Sequence, residues 1–263
     1  MRTLRFLYRT SFRFQPPIFN HSFAIRCIPV TNQVQKICIE GRYVRPADSL
    51  NEVVDGFGNH VFIGHIQDYH QYFEYEVVGT AQVDGMQVQK EPLQLMYKYP
   101  SKYTGYTKEI REFYKAIGRL KGTDLEKAVT IMQYLHEHFT YVSGVTDIYT
   151  TAAEALKQRE GVCQDYAHIM IALCKYAGIP ARYVVGLMIG EGSTHAWVEV
   201  YVDGGWYGLD PTNNLHIDDY YVKIAHGRDY DDCIVDKGQF NGITNQQQQV
   251  YVRVEDITEK DEK

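Results

Sequence analysis

A cysteine, a histidine and an aspartate occur in this order at positions suited to thiol chemistry. Cys163 lies in Gly161-Val162-Cys163-Gln164-Asp165-Tyr166-Ala167, where a glycine break gives way to a long helical pattern. His195 follows in His195-Ala196-Trp197-Val198-Glu199-Val200, and Asp210 in Trp206-Tyr207-Gly208-Leu209-Asp210-Pro211-Thr212. A free thiol has a pKa of about 8.5 and is mostly protonated at neutral pH, so a nucleophilic cysteine needs surroundings that favour the anion. A helix N-terminus supplies unpaired N–H groups and partial positive charge, and a nearby imidazolium adds more. The same N–H groups, that of Cys163 included, can hold a tetrahedral oxyanion. The set reads as nucleophile, general base and base-orienter.

Particular elements must carry these residues. The helix opening at Cys163 runs to Ala177, where Gly178-Ile179-Pro180 stops it. Cys174, flanked by Ile171, Ala172 and Leu173 in mid-helix, reads as core. Strands are expected at 181–189, 194–202 and 206–210. Alternation places Ala196, Val198, Val200 and Val202 on the core face and His195, Trp197, Glu199 and Tyr201 on the other. Asp203-Gly204-Gly205 is a hairpin turn signal. A tight turn centred on Gly204 sets Asp210 opposite residue 198, three positions from His195. The pairing then needs a bulge, a wider turn or a diagonal reach.

Upstream, residues 1–105 read as short strands punctuated by Pro16-Pro17, Pro46, Pro92 and Pro100, a β-sandwich-like N-terminal domain. Residues 106–263 read as a separate α+β domain with helices first and an antiparallel sheet after. Thr107, Thr123-Asp124-Leu125-Glu126 and Thr151-Ala152-Ala153-Glu154 are helix-start signals. Gln246–Gln249 reads as loop, Val250–Val254 as a last strand, and the charged end from Glu255 as frayed.

The 263 residues suffice for one large or two modest cores, and 44% hydrophobic content gives no case for disorder. Net charge of −6 argues against nucleic acid or an anionic membrane as partner. Arg interleaves with apolar residues from Met1 to Arg9, unlike a signal peptide, and no apolar stretch reaches membrane-span length. The five cysteines include no CxxC pair and suit a reducing, cytoplasmic compartment, with Cys27 and Cys38 unpaired and buried in strands. Cys163, His168 and His195 lack the spacing of a zinc site. His60, His65 and His70 read as surface histidines, and Asp229, Asp231 and Asp232 as a solvated turn rather than a calcium loop. No metal or cofactor is expected.

Four blocks in register, Gly161–Ala167, Ala177-Gly178-Ile179-Pro180-Ala181-Arg182-Tyr183, His195–Val200 and Trp206–Thr212, resemble the transglutaminase-like branch of the papain-like thiol enzymes. Gly144-Val145-Thr146-Asp147, Thr151–Leu156 and Gly227-Arg228-Asp229-Tyr230 resemble its bacterial members, which also carry a β-rich N-terminal domain. The resemblance covers essentially the whole chain. It implies a papain-like catalytic fold with Cys163 as nucleophile, His195 as base and acid, and Asp210 as orienter. Animal transglutaminases use a tryptophan upstream of the cysteine to hold the oxyanion, whereas both tryptophans here, Trp197 and Trp206, follow it. Tyr141 and Gln158 are the candidate donors in its place, and Trp197 and Tyr201 the candidate cleft residues. The expected activity is acyl transfer at a peptide or protein carboxamide, foremost by a cysteine peptidase or amidase. The alternatives are a protein-glutamine transamidase or deamidase, and a catalytically silent peptide-binding module.

Overall fold

The computed structural model describes residues 1–85 and 87–258. It is organised around one long strand, β1 (Arg2–Ile25), followed by β2 (Gln35–Arg45), β3 (Ser49–Val54), β4 (His60–Ile66) and β5 (His70–Val83). Along the first half of β1, Leu4, Phe6, Tyr8, Phe12 and Phe14 are buried while Arg5, Arg9 and Arg13 face solvent. The Arg–apolar interleaving of the N-terminus is therefore strand alternation. β1 pairs with β5 in unbroken register as far as Arg13, meets it again at Ile18 after a register shift, and pairs with β4 from His21 to Ile25. Pro16-Pro17, expected to separate two short strands, instead sits where this register shifts. A residue without an N–H is tolerated where the ladder is already interrupted, so one strand serves both layers of the sandwich-like region.

The second region begins with β6 (Gln89–Lys90) and a short 3-10 turn at Leu95–Lys98. Next come α1 (Lys108–Ile117), α2 (Asp124–His138), β7 (Thr140–Tyr141), α3 (Ala152–Gln158), β8 (Glu160–Gly161) and α4 (Cys163–Tyr176). Thr107 caps α1, and Thr123–Glu126 and Thr151–Glu154 form complete capping boxes on α2 and α3. α4 is buried from Asp165 through Lys175, as expected of a helix that is apolar nearly all round. Ile169, Met170 and Leu173 are fully enclosed, each such side chain contributing roughly 1.5–3 kcal/mol of transfer free energy. Gly178 takes a positive φ of 83° just past its end, the left-handed conformation that suits glycine after a helix.

β9 (Ala181–Met188), β10 (Gly190–Gly192), β11 (His195–Val202), β12 (Gly205–Asp210), β13 (Leu215–His216) and β14 (Tyr221–Gly227) follow. All but β10 form an antiparallel sheet in the order β13-β12-β11-β9-β14, with β6 also on β12. α4 packs across β9 and β11. Asp229 caps the one-turn helix α5 (Tyr230–Cys233). The acidic group is thus no open turn: Asp229 also accepts from the Tyr103 N–H, Asp231 pairs with Lys102, and Asp232 with Arg228.

The chain then returns to the first region. β15 (Asp236–Asn241) and β16 (Asn245–Asp256) both pair with β1. Residues 236–256 therefore belong to the first sheet by pairing, although a division at residue 105 assigns them to the second. Gln246–Gln249 is strand rather than loop, lying opposite Phe14 to Ser11. A strand as long as β1 offers backbone donors and acceptors to any sequence that can extend beside it, so the glutamines pair through their main chain. Glu255 and Asp256 are in the same strand, and residues 259–263 lie outside the described residues.

Side-chain amides join the regions. Gln35 accepts from the Lys223 N–H at 2.9 Å and donates to the Lys223 carbonyl at 2.7 Å. Asn59 makes the same pair of bonds to His226, at 2.9 Å each. Both amides satisfy backbone groups on β14, an edge strand that would otherwise be left open. Arg182, Glu199 and Lys223 form a buried ion cluster beside them. Burial opposes the Glu199 charge, but Arg182 and Lys223 outweigh it and hold its carboxyl at about 2.

Candidate active site

Cys163 is the first residue of α4, partly exposed, with Val162 at the extended N-cap position. Valine offers no capping oxygen. Asp165 supplies the reciprocal contact instead, accepting from the Val162 N–H at 2.8 Å and from the Thr146 hydroxyl at 2.7 Å. The N–H groups of the first turn at Cys163 thus keep the orientation of a helix end. Gly161 has a packing role: a Cβ there would collide with the Asp165 carboxylate. Burial pushes the Asp165 carboxyl up, and its two hydrogen bonds offset only part of that shift.

His195 opens β11, and Asp210 closes β12. Asp203 and Gly204 both have positive φ, 50° and 84°, and Val202 pairs with Gly205, the geometry of a two-residue type I′ hairpin. The register then runs Val198 to Leu209, one residue from that expected with the turn centred on Gly204. Asp210 consequently shares its face with His195 and lies on the diagonal, within reach without a bulge. The His195 Nε2–Asp210 Oδ2 distance is 2.7 Å. With Nε2 committed to Asp210, Nδ1 is the ring nitrogen left for Cys163, which lines the same cleft. Burial alone would lower the imidazole pKa, but the bonds and charges of Asp210 and Cys163 prevail and raise it to about 10.

Asp210 is fully buried and saturated with donors. Its Oδ1 accepts from the Thr212 and Asn213 N–H groups, and its Oδ2 from the Asn213 amide at 2.8 Å and the Tyr221 hydroxyl at 2.9 Å, besides His195. Burial opposes its charge, but these partners hold its pKa below the ordinary carboxylate value. Sequence reasoning missed both Asn213 and Tyr221. The Asp-Pro-Thr-Asn run was legible as an Asx-type turn, whereas no local pattern pointed to Tyr221 on a different strand.

The thiol and imidazole open onto a cleft of about 200 Å³ lined by Tyr141, Met188, the 189–194 segment and Val252. Tyr141 is held there by pairing of β7 with β8, opposite Gly161. Gln158 lies exposed at the end of α3, away from the cleft. Trp197 and Tyr201 do not line it either. The face carrying them is packed: Trp197 is only 2% exposed, against Val184 and Tyr221, and Val34, Gln35 and Val83 of the first region line a pocket with it. Tyr201 donates to the Glu91 carbonyl at 2.9 Å and packs edge-on against Trp206. Both faces of β11 are therefore packed, and its His195 end alone reaches the cleft.

The remaining candidates lie elsewhere. His168 is buried beside Tyr103 and accepts from the Tyr230 N–H, so it is turned away from the thiol. His60 pairs with Glu52, His65 with Ser22 and His70 with His21, all partly exposed. All five cysteines are free; Cys38 is exposed, not buried, and burial pushes the Cys174 thiol up to about 12.

The helix-borne thiol and strand-borne imidazole and carboxylate define a papain-like α+β protein. The chain belongs to the transglutaminase-like superfamily, whose core model matches residues 111–211, while the bacterial transglutaminase-like N-terminal region matches residues 4–82. A crystal structure from Cytophaga hutchinsonii, described as that of a candidate cysteine protease, shares the fold over 98% of this chain and 92% of its own, at TM-score 0.83 and 23% identity. An uncharacterized protein of Mycobacterium leprae is 34% identical over 154 residues, 54% of either chain. A protein-glutamine gamma-glutamyltransferase of Pseudomonas aeruginosa is 31% identical over 106 residues, 32% of this chain and 15% of its own. The chain thus matches about half the length of the first of these relatives and far less of the second.

Proposed function

We propose that the protein is a thiol-dependent acyl-transfer enzyme acting on a peptide or protein amide, foremost a peptidase or amidase. The observation that carries this reading is the hydrogen bond from His195 to a fully buried, donor-saturated Asp210, with Cys163 and His195 lining one cleft. Cys163 attacks the carbonyl carbon as thiolate, forming an S–C bond and an oxyanion, for which the Cys163 N–H and Tyr141 at the cleft wall are the candidate donors. The C–N bond then breaks as His195 passes its proton to the departing amine. Water adds to the thioester, His195 takes its proton, and the acid leaves as the thiolate returns. Water and an amine as acceptors both use every residue named here, and water, which needs no binding site of its own, is the foremost one. The Pseudomonas relative's name favours the second reading, in which a primary amine replaces water.

The test is mass spectrometry of a glutamine-containing peptide library, with and without an added primary amine, using the wild type and Cys163→Ala. Cleavage or a gain of about 1 Da supports hydrolysis, and Cys163-dependent amine incorporation supports transamidation. No Cys163-dependent mass change, together with no Cys163 labelling by chloroacetamide above the rate of the unfolded chain, overturns the enzyme reading and leaves a binding module.

A further inference from the structure

β10 belongs to the catalytic region by sequence and to the N-terminal sheet by pairing. Gly190, Glu191 and Gly192 pair with Val254, Arg253 and Val252 of β16. Through β16, β10 becomes the terminal strand of a sheet that continues into β1 and β5. Among the described residues no strand pairs with its outer edge. The same three residues line the cleft beside Cys163 and His195. Two of them are glycines and all three are exposed, so no β-carbon covers the backbone at positions 190 and 192. An open edge with exposed N–H and C=O groups is a template for another extended chain.

A second rim has a different character. The loop before α3 presents Val145, Ile148 and Tyr149 to solvent, and Tyr141, which lines the cleft, is also exposed. This loop is anchored to the first turn of α4, since Thr146 donates to Asp165 and the Gln164 amide donates to the Ile148 carbonyl. Its apolar side chains are therefore held near the thiol. The cleft itself, at about 200 Å³, is smaller than the roughly 300–1,000 Å³ pockets that enclose drug-sized ligands. It has room for the reacting group, and recognition of anything larger must come from the strand edge and the rim.

We propose, building on the acyl-transfer reading, that the acyl donor is an extended polypeptide segment that adds to the free edge of β10. Apolar side chains flanking its reacting residue rest on the 141–149 rim. The N-terminal sheet then has a direct part in the reaction: β16 holds β10 in register, so donor and sheet form one continuous array beside Cys163.

Capped octapeptides bearing a chloroacetyl group on a central side chain test this with the full-length protein. Labelling of Cys163 is followed as kinact/KI, with chloroacetamide as the peptide-free reference. Strand addition uses alternate N–H groups of the donor, and a net hydrogen bond contributes about 0.5–1.5 kcal/mol. N-methylation at alternate positions is expected to lower kinact/KI roughly three- to tenfold, with little effect at the intervening positions. With leucines flanking the chloroacetyl-bearing residue, their replacement by aspartate should lower it further. Normal labelling by chloroacetamide with no period-two effect of N-methylation overturns strand addition and leaves the acyl-transfer reading standing. Failure of chloroacetamide to label Cys163 faster than in the unfolded chain overturns that reading, and this proposal with it.

Discussion

Tyr221 donates its hydroxyl to Asp210 at 2.9 Å, although β9 and β11 lie between their strands in the sheet. The contact depends on what lies on that face. Gly186 of β9 sits opposite His195, and the Trp197 ring occupies the space that a side chain at 186 would fill. Tyr221 meets Trp197 edge-on, with ring centroids 5.6 Å apart. Asp210 is thus held by the far strand as well as by its own turn.

Removing that contact should impair the carboxylate as a positioning group without abolishing it. Tyr221→Phe leaves the Asn213 and backbone donors in place, and roughly a fivefold loss of kcat/KM is expected, from about 1 kcal/mol of lost hydrogen bonding. Asp210→Asn is expected to cost roughly 10⁴-fold, as removal of an orienting carboxylate does in comparable triads. Steady-state kinetics on the substrate identified by mass spectrometry checks both. Equal losses in the two variants would contradict the graded support described for Asp210.

The raised His195 pKa sets the alkaline behaviour. Its folded value of about 10 lies above the ordinary histidine value of 6.5. The imidazolium therefore stabilises the fold fully below about pH 6.5, and this contribution disappears as pH rises through 10. The rate of acylation should lose its imidazolium acid over the same alkaline limb. In Asp210→Asn that limb should move to lower pH, because the carboxylate charge that raises the imidazole pKa is gone. An unmoved limb in the pH profile of kcat/KM would show that Asp210 does not set it.

His168 shifts the other way, because burial prevails there and lowers it to about 3 from the ordinary 6.5. The unfolded chain binds this proton first, so stability is retained above about pH 6.5 and lost as pH falls toward 3, by at most about 1.4 kcal/mol per pH unit. Urea unfolding midpoints measured from pH 7 to 4 should fall more steeply for the wild type than for His168→Gln. Parallel slopes would remove His168 as an acid-sensitive element.

Gly186→Ala tests the packing on the active-site face. The added methyl would meet the Val222 carbonyl and the Trp197 ring, and overpacking of this kind costs roughly 1–3 kcal/mol. A lower urea midpoint should be accompanied by a lower kcat/KM, because Trp197 and Tyr221 cannot both keep their places. An unchanged midpoint would mean that the indole moves aside without cost.

The capping residues, the Cys163 helix and the three strands after it were legible because each is specified by nearby residues. Thr123 and Glu126 satisfy each other's helix-end groups within one turn, whatever the rest of the chain does. The glutamine run was misread because its strand character comes from β1, more than two hundred residues away. The cleft assignment of Trp197 and Tyr201 failed for a related reason. Alternation identified their face correctly, but alternation does not reveal that a second layer covers that face.

By itself, the sequence determined the chemical inventory and its order: a thiol at a helix start, a histidine at a strand start and an aspartate at a strand end. Short-range physics sets each of these positions, through caps, turns and alternation. Only the tertiary structure decided the register that brings Asp210 diagonal to His195, the donors that saturate its carboxylate, and the placing of β10 in the N-terminal sheet. Those contacts join segments far apart in the chain, and a one-residue change of register reassigns every side chain to the other face.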